Sequence, residues 1–261
     1  MILAKKSLGQ NFLKSEKDLS QIVEAGEIAP GETVLEIGPG LGALTEKLLL
    51  SGARVIAVEK DDNLFTRLKG KFKNELEEGR IALIHEDIMG FKIETLREKY
   101  KLIANIPYNI TGAILEKFLS ASHQPEKMVL LVQKEVAERI VARDGKESIL
   151  SISVKAYGKP TYIDRVLAGS FVPAPKVDSA IISIENISKD FFQDFTEKSF
   201  FRILKAGFSA KRKKLSSNLS TFAHKEKLEA ALVTLGFTPN ARAEELPPQG
   251  WHKITQIVQE L

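Results

Sequence analysis

Asn105-Ile106-Pro107-Tyr108 is the stretch of this chain best equipped for chemistry. It follows the apolar run Leu102-Ile103-Ala104 and precedes a helical pattern from Thr111, so it reads as the end of a buried strand. Such an edge is where open α/β sheets bind ligands. The Asn105 side-chain oxygen can accept one N–H of an exocyclic amine. The Ile106 carbonyl can accept the other, because Pro107 biases Ile106 to an extended conformation. Tyr108 can stack on an aromatic ring. The same residue types also build ordinary strand-to-helix turns, so the tetrapeptide alone leaves both readings open.

Three further strand ends carry groups that suit an adenosine ligand. Thr33-Val34-Leu35-Glu36-Ile37 reads as a strand, followed by Gly38-Pro39-Gly40-Leu41-Gly42 and a helix from about Ala43 to Leu50. A glycine turn between strand and helix lets backbone approach a ligand closely. No Gly-Lys-Ser/Thr follows, which argues against a triphosphate grip. Arg54 to Glu59 is the second strand. Its terminal acid lies about 20 residues beyond the glycines, where a carboxylate can accept both ribose hydroxyls. After a third strand, Ile81 to Ile84, Asp87 can accept an adenine amino group, with Ile88 and Met89 as apolar walls; on its own Asp87 is an ordinary loop residue. His85 reads as structural. Nicotinamide dinucleotides and S-adenosyl-L-methionine both fit such a site. A dehydrogenase needs no amine clamp, whereas a methyltransferase acting on an amino nitrogen does.

The elements that position these groups alternate. A fifth strand spans Met128 to Val132, and Lys134 to Ala142 forms an amphipathic helix. Ser148 to Tyr157 fits helix or strand, with helix favoured. Thr161 to Leu167 and Asp178 to Ile184 are the last strands, joined by the stiff loop Phe171-Val172-Pro173-Ala174-Pro175-Lys176-Val177. This order predicts an α/β fold with a largely parallel sheet. From Ser188 the pattern turns helical, giving an expected division into residues 1–187 and 188–261.

The chain has 261 residues, is 43% hydrophobic and 28% charged, and contains no cysteine. That composition fits a globular protein. It excludes disulfide scaffolds, thiolate metal sites and a cysteine nucleophile, and no metal site is expected. No apolar run reaches the ~20 residues of a membrane span, and no secretory signal is evident, so a cytoplasmic protein without membrane contact is expected. Net charge is +4. Residues 1–187 carry 26 cationic and 26 acidic side chains, whereas residues 188–261 carry 12 and 8. The C-terminal part therefore holds the whole excess, densest at Lys211-Arg212-Lys213-Lys214, as expected for an anionic partner or for a merely solvated surface. At the N-terminus, Lys5 and Lys6 precede Ser7-Leu8-Gly9-Gln10-Asn11-Phe12-Leu13, which reads either as a frayed arm or as a segment folding over a ligand with its lysines near phosphate.

Four ordered motifs carry a resemblance that spans essentially the whole chain. Gln10-Asn11-Phe12-Leu13, Glu36-Ile37-Gly38-Pro39-Gly40-Leu41-Gly42, Asn105 to Thr111, and Val172-Pro173-Ala174-Pro175-Lys176-Val177-Asp178-Ser179-Ala180 occur in the order seen in the ribosomal RNA adenine N6,N6-dimethyltransferase family. The proline loop ending in Val177-Asp178-Ser179-Ala180 resembles the small-subunit dimethyladenosine transferase branch more than the erythromycin-resistance branch, which acts on large-subunit RNA. The resemblance implies a Rossmann-like class I methyltransferase with a seven-stranded, mostly parallel sheet and a small all-helical C-terminal domain. It implies S-adenosyl-L-methionine as cofactor, held by Asn11, Leu13, Gly38, Glu59, Asp87 and Asn105; Gln10, Gly40, Lys60 and Ile88 are expected beside them. It implies a catalytic group of Asn105, Ile106, Pro107 and Tyr108, with Phe171 on the second face of the base. The expected substrate is two adjacent adenosines near the 3′ end of small-subunit ribosomal RNA, contacted through Lys5, Lys6, Lys211, Arg212, Lys213 and Lys214 by a monomeric protein. An assembly factor acting mainly by binding the small subunit is the expectation from another functional class.

Overall fold

The computed structural model describes residues 10–259. Its chain divides into two compact units, residues 1–137 with 159–187 and residues 138–158 with 188–261. The first unit begins with β1 (Phe12–Leu13), α1 (Glu16–Gly26), β2 (Thr33–Ile37), α2 (Ala43–Leu50) and β3 (Arg54–Glu59). It continues through α3 (Asp62–Lys71), α4 (Lys73–Glu77), β4 (Ile81–His85), β5 (Tyr100–Asn105), α5 (Thr111–Leu119) and β6 (Lys127–Gln133). Helix α6 (Lys134–Val141) carries the chain out. After α7 (Ile149–Lys155) it returns as β7 (Lys159–Val166), β8 (Phe171–Val172) and β9 (Ser179–Glu185).

Seven of these strands form one sheet in the order β4-β3-β2-β5-β6-β9-β7. β4, β3, β2, β5 and β6 run parallel; β9 is antiparallel to β6 and β7 to β9. The central strands are nearly continuous apolar runs because helices cover both faces of a parallel sheet; Leu102, Ile103 and Ala104 on β5 and Met128 to Val132 on β6 are fully buried. The chain moves outward from β2 in one direction through β3 and β4, and in the other through β5 and β6. That reversal between β2 and β5 opens a crevice at the carboxyl ends of the strands. The fold is the expected α/β architecture with a seven-stranded, mostly parallel sheet.

A second, two-stranded sheet pairs β1 with β8, Phe12 opposite Val172 and Leu13 opposite Phe171. Lys14 N–H extends it by donating to the Ser170 carbonyl at 2.9 Å.

The second unit is helical among its described residues: α7, α8 (Glu197–Gly207), α9 (Leu215–Asn218), α10 (Lys225–Thr234) and α11 (Pro248–Gln259). Its core gathers Phe200, Ile203, Leu204, Leu228, Leu232 and Trp251, and Ile152 and Ala156 of α7 are buried in the same cluster. The expected cut at residue 187 therefore needs correction. Residues 138–158 go with the helical unit, because the apolar face of α7 is buried there and Glu147 N–H donates to the Glu244 carbonyl at 2.8 Å. A Cβ on Gly207 would lie 2.3 Å from Cη2 of the buried Trp251. Gly207→Ala is expected to destabilise the protein by about 1–3 kcal/mol through overpacking, read as a lower denaturant midpoint. No helix among the described residues is long and apolar enough to cross a membrane.

Candidate active site

A cavity of about 260 Å³ lies at the carboxyl ends of β2, β3, β4 and β5. It is lined by Gln10, Asn11, Leu13, Gly38, Gly40, Glu59, Lys60, Asp87, Ile88, Asn105, Ile106, Pro107 and Tyr108. Residues from Gly38 to Tyr108 thus meet in one place because they end or follow strands of the same sheet, and the segment at β1 adds Gln10, Asn11 and Leu13.

All three glycines of the loop after β2 take left-handed backbone, Gly38 at φ 62°, Gly40 at φ 61° and Gly42 at φ 76°. At Gly40 a side chain is excluded from a second direction, because a Cβ would lie 3.0 Å from the Phe12 ring. The β1 segment therefore packs directly on the glycine loop and brings Gln10 and Asn11 to the cavity.

Glu59 ends β3 and is only 5% exposed. One carboxylate oxygen accepts from Asp61 N–H at 2.8 Å and the other from Gly40 N–H at 3.2 Å. Burial pushes its pKa up, and these backbone donors, with that of Lys60, oppose the rise. The carboxylate is thus tied to the glycine loop and keeps lone pairs for ligand hydroxyls. Asp61 caps α3, its side chain accepting from Asn63 and Leu64 N–H.

Asp87 accepts from Met89 N–H at 3.0 Å through one oxygen and from the Lys60 ammonium at 2.7 Å through the other. The Lys60 bond, then the Met89 N–H, hold its carboxyl below the usual range. The Lys60–Asp87 ion pair was not anticipated from the sequence, and it sets a cation on the acceptor that an adenine amino group would use. The exposed His85 does not line the cavity; it stacks on Phe65 at 4.5 Å, and its Nε2 lies 3.0 Å from Asp62 Oδ1.

Glu36 also lines the cavity and was missed. It is 1% exposed and accepts from Thr45 Oγ1 at 2.7 Å. Burial pushes its pKa up to about 8, with the charge of Glu59 adding to the rise. Its place in the strand before the glycines was the available signal.

The orientation of Asn105 bears most directly on chemistry. Its side-chain Nδ2 donates to the Asn11 carbonyl at 3.2 Å. A carbonyl can only accept, so this partner assigns which end of the amide is nitrogen. Oδ1 is then the end left to accept from a ligand. Pro107, at φ −60° and ψ 129°, turns the chain into a short 3-10 segment, Tyr108–Ile110. The half-buried Tyr108 hydroxyl lies 2.6 Å from Ser179 Oγ, and burial raises the phenol pKa.

Two sets of expected residues do not join the cavity. Phe171, read as a stacking face, is 2% exposed and belongs to the core cluster with Leu13 and Val129. It does not line the cavity, because in a strand only one of two successive side chains can face a given side, and here it is the neighbouring Val172 that is exposed. Lys211, Arg212, Lys213 and Lys214 are in the helical unit, all exposed, in the loop between α8 and α9. Asn218 Nδ2 donates to the Gly207 and Ala210 carbonyls and so fixes the base of that loop. Lys5 and Lys6 lie outside the described residues.

Comparison with known proteins places these features in a lineage. The family model described as Ribosomal RNA adenine dimethylase matches residues 1–260. A protein of Dehalococcoides mccartyi strain CBDB1 named Ribosomal RNA small subunit methyltransferase A is 43% identical over 256 residues, covering 96% of this chain and 87% of that protein. Among solved structures, the 23S rRNA methyltransferase ErmE superposes with a TM-score of 0.79 at 26% identity, covering 95% of this chain and 100% of that one. A dimethyladenosine transferase from Plasmodium falciparum gives 0.78 at 29% identity, covering 93% and 95%. With a family match over essentially its full length and a cavity built from that family's motifs, this chain belongs to the ribosomal RNA adenine dimethylase family.

Proposed function

We propose that this protein transfers methyl groups from S-adenosyl-L-methionine to N6 of two adjacent adenosines in the 3′-terminal hairpin loop of small-subunit ribosomal RNA, during ribosome biogenesis. The observation that carries the reading is the Asn105 amide, held by the Asn11 carbonyl so that Oδ1 is the acceptor. An amine clamp needs acceptors, and the Ile106 carbonyl supplies the second.

The cavity fits the cofactor. Gly38 and Gly40 leave room for close backbone approach, Glu59 can accept the ribose hydroxyls, and Asp87 can accept the adenine amino group. When bound, S-adenosyl-L-methionine supplies a methyl group already activated on a sulfonium. The protein then has to orient the nucleophile. The N6 lone pair of adenine is delocalised into the ring and attacks poorly. Accepting its N–H bonds at Asn105 Oδ1 and the Ile106 carbonyl localises that pair and aims it at the methyl carbon. Attack by N6 held in this way would form the N–C bond, with the electron pair of the broken carbon–sulfur bond left on sulfur. The N6 proton, now strongly acidic, leaves to water without a dedicated base. The target base must leave its stack to reach the cavity, and Tyr108 offers it a face.

The small-subunit assignment rests on the named relatives, which resemble this chain more closely in sequence than the 23S enzyme does. Supplying unmethylated small and large subunits separately tests it. Methyl incorporation into the small subunit alone is expected; incorporation into the large subunit alone would overturn the assignment. We place the protein in the cytoplasm as a monomer, with the small subunit as partner.

The exposed cations Lys211, Arg212, Lys213 and Lys214 suit phosphate contacts, which position RNA without reading its sequence. Changing all four to alanine is expected to weaken RNA binding and to reduce the slope of log affinity against log salt by roughly 3–4. An unchanged slope would remove these residues from the interface.

A further inference from the structure

Ser179 opens β9 and is fully buried. It is paired with Gln133 on β6 and with Val166 on β7, and it does not line the cavity. The three residues that follow it directly, Ala180-Ile181-Ile182, are apolar and fully buried, and polar residues return to the strand at Ser183 and Glu185. A buried hydroxyl in such a place needs a partner, and its partner is the hydroxyl of Tyr108, 71 residues away at 2.6 Å. The other end of the tyrosine is also held, its carbonyl accepting from Thr111 Oγ1 at 3.1 Å.

We propose that Ser179 is a positioning residue for methyl transfer: its buried hydroxyl holds the phenol oxygen of Tyr108, and so fixes the direction in which the ring projects towards the base held by Asn105 and Ile106. The inference rests on the reading of Tyr108 as the stacking surface. A tyrosine ring can swing as a whole about its Cα–Cβ bond between staggered wells. The phenol oxygen is the atom that moves farthest in that swing, and anchoring it holds the ring in one well. The anchor lies on a strand of the sheet, and rigid elements hold reacting geometry better than loops. None of the cofactor-facing groups, Gly38, Gly40, Glu59 or Asp87, takes part in this bond, so its loss should not alter cofactor affinity.

The test compares the parent protein with Ser179→Ala, Tyr108→Phe and the double variant on unmethylated small subunits. Each single variant is expected to lower kcat roughly tenfold, the scale set by slight misplacement of reacting groups, while KM for S-adenosyl-L-methionine stays unchanged. The double variant should be no slower than either single one, because both remove the same bond. The share of singly methylated adenosine should rise, since a slower second transfer lets more intermediate escape. Ser179→Ala turnover close to that of the parent, losses that multiply in the double variant, or a loss confined to KM for the cofactor would each overturn the proposal. If Ser179→Ala does not fold, Tyr108→Phe breaks the same bond without touching β9 and decides alone. A parent protein that methylates no adenosine would refute the functional reading and this inference with it; an active parent with an equally active Ser179→Ala refutes only the inference.

Discussion

Asn105→Ala is expected to lower kcat by about 10²–10³-fold, the usual cost of deleting one preorganised hydrogen-bonding group at the reacting centre. Two effects combine. The variant removes Oδ1, the acceptor that holds one N–H of the target amine. It also removes Nδ2, and with it the 3.2 Å bond to the Asn11 carbonyl that joins β5 to the N-terminal segment. Asn105 is at the end of a strand whose preceding residues are buried, and it is itself only partly buried, so stability should fall little. RNA binding should persist, because phosphate contacts elsewhere supply most of it. Asn105→Asp separates the two effects. It keeps an acceptor for the amine but turns a repelling oxygen towards the Asn11 carbonyl, and it is expected to be impaired as well. Single-turnover methylation with saturating cofactor and RNA reads the chemical step. A rate within a few-fold of the parent would remove Asn105 from the mechanism.

Glu59→Ala is expected to weaken S-adenosyl-L-methionine binding by about 10²-fold, the scale of losing hydrogen bonds from a charged acceptor to two hydroxyls. The loss has an indirect component. Glu59 accepts from Gly40 N–H and from Asp61 N–H, so it ties the glycine loop to the start of α3. Removing it leaves those donors without that acceptor and loosens the backbone that must approach the cofactor. Glu59→Gln retains one acceptor oxygen and similar shape, and should be intermediate. Titration calorimetry with the cofactor in the absence of RNA measures the effect. Unchanged affinity in Glu59→Ala would mean that the ribose is held elsewhere.

These expectations rest on features of differing legibility. The glycine turn, the acid about 20 residues later and the Asn105 segment could be read directly, since each is a local pattern whose meaning comes from its place between a strand and a helix. The second sheet could not. β1 and β8 are two residues each, too short for alternation to show. The same brevity explains Phe171: in a pair of residues nothing local says which one faces the core. α7 was legible as a helix but not as part of the helical unit, because an apolar face looks the same whichever core it enters. The Lys60–Asp87 pair and the Tyr108–Ser179 bond join residues 27 and 71 positions apart, distances that only the sheet order brings together. Glu36 was visible as a strand residue, but its burial beside Glu59, and hence its raised pKa, follows from the sheet's packing.

The central claim is that the cavity clamps an adenine amino group and methylates it twice. Incubating the protein with labelled S-adenosyl-L-methionine and unmethylated small subunits, then mapping the modified nucleosides by mass, addresses it directly. Two adjacent adenosines near the 3′ end, each carrying two methyl groups on N6, is the predicted result. Label on a ring nitrogen, on a ribose hydroxyl or on another base would contradict the clamp.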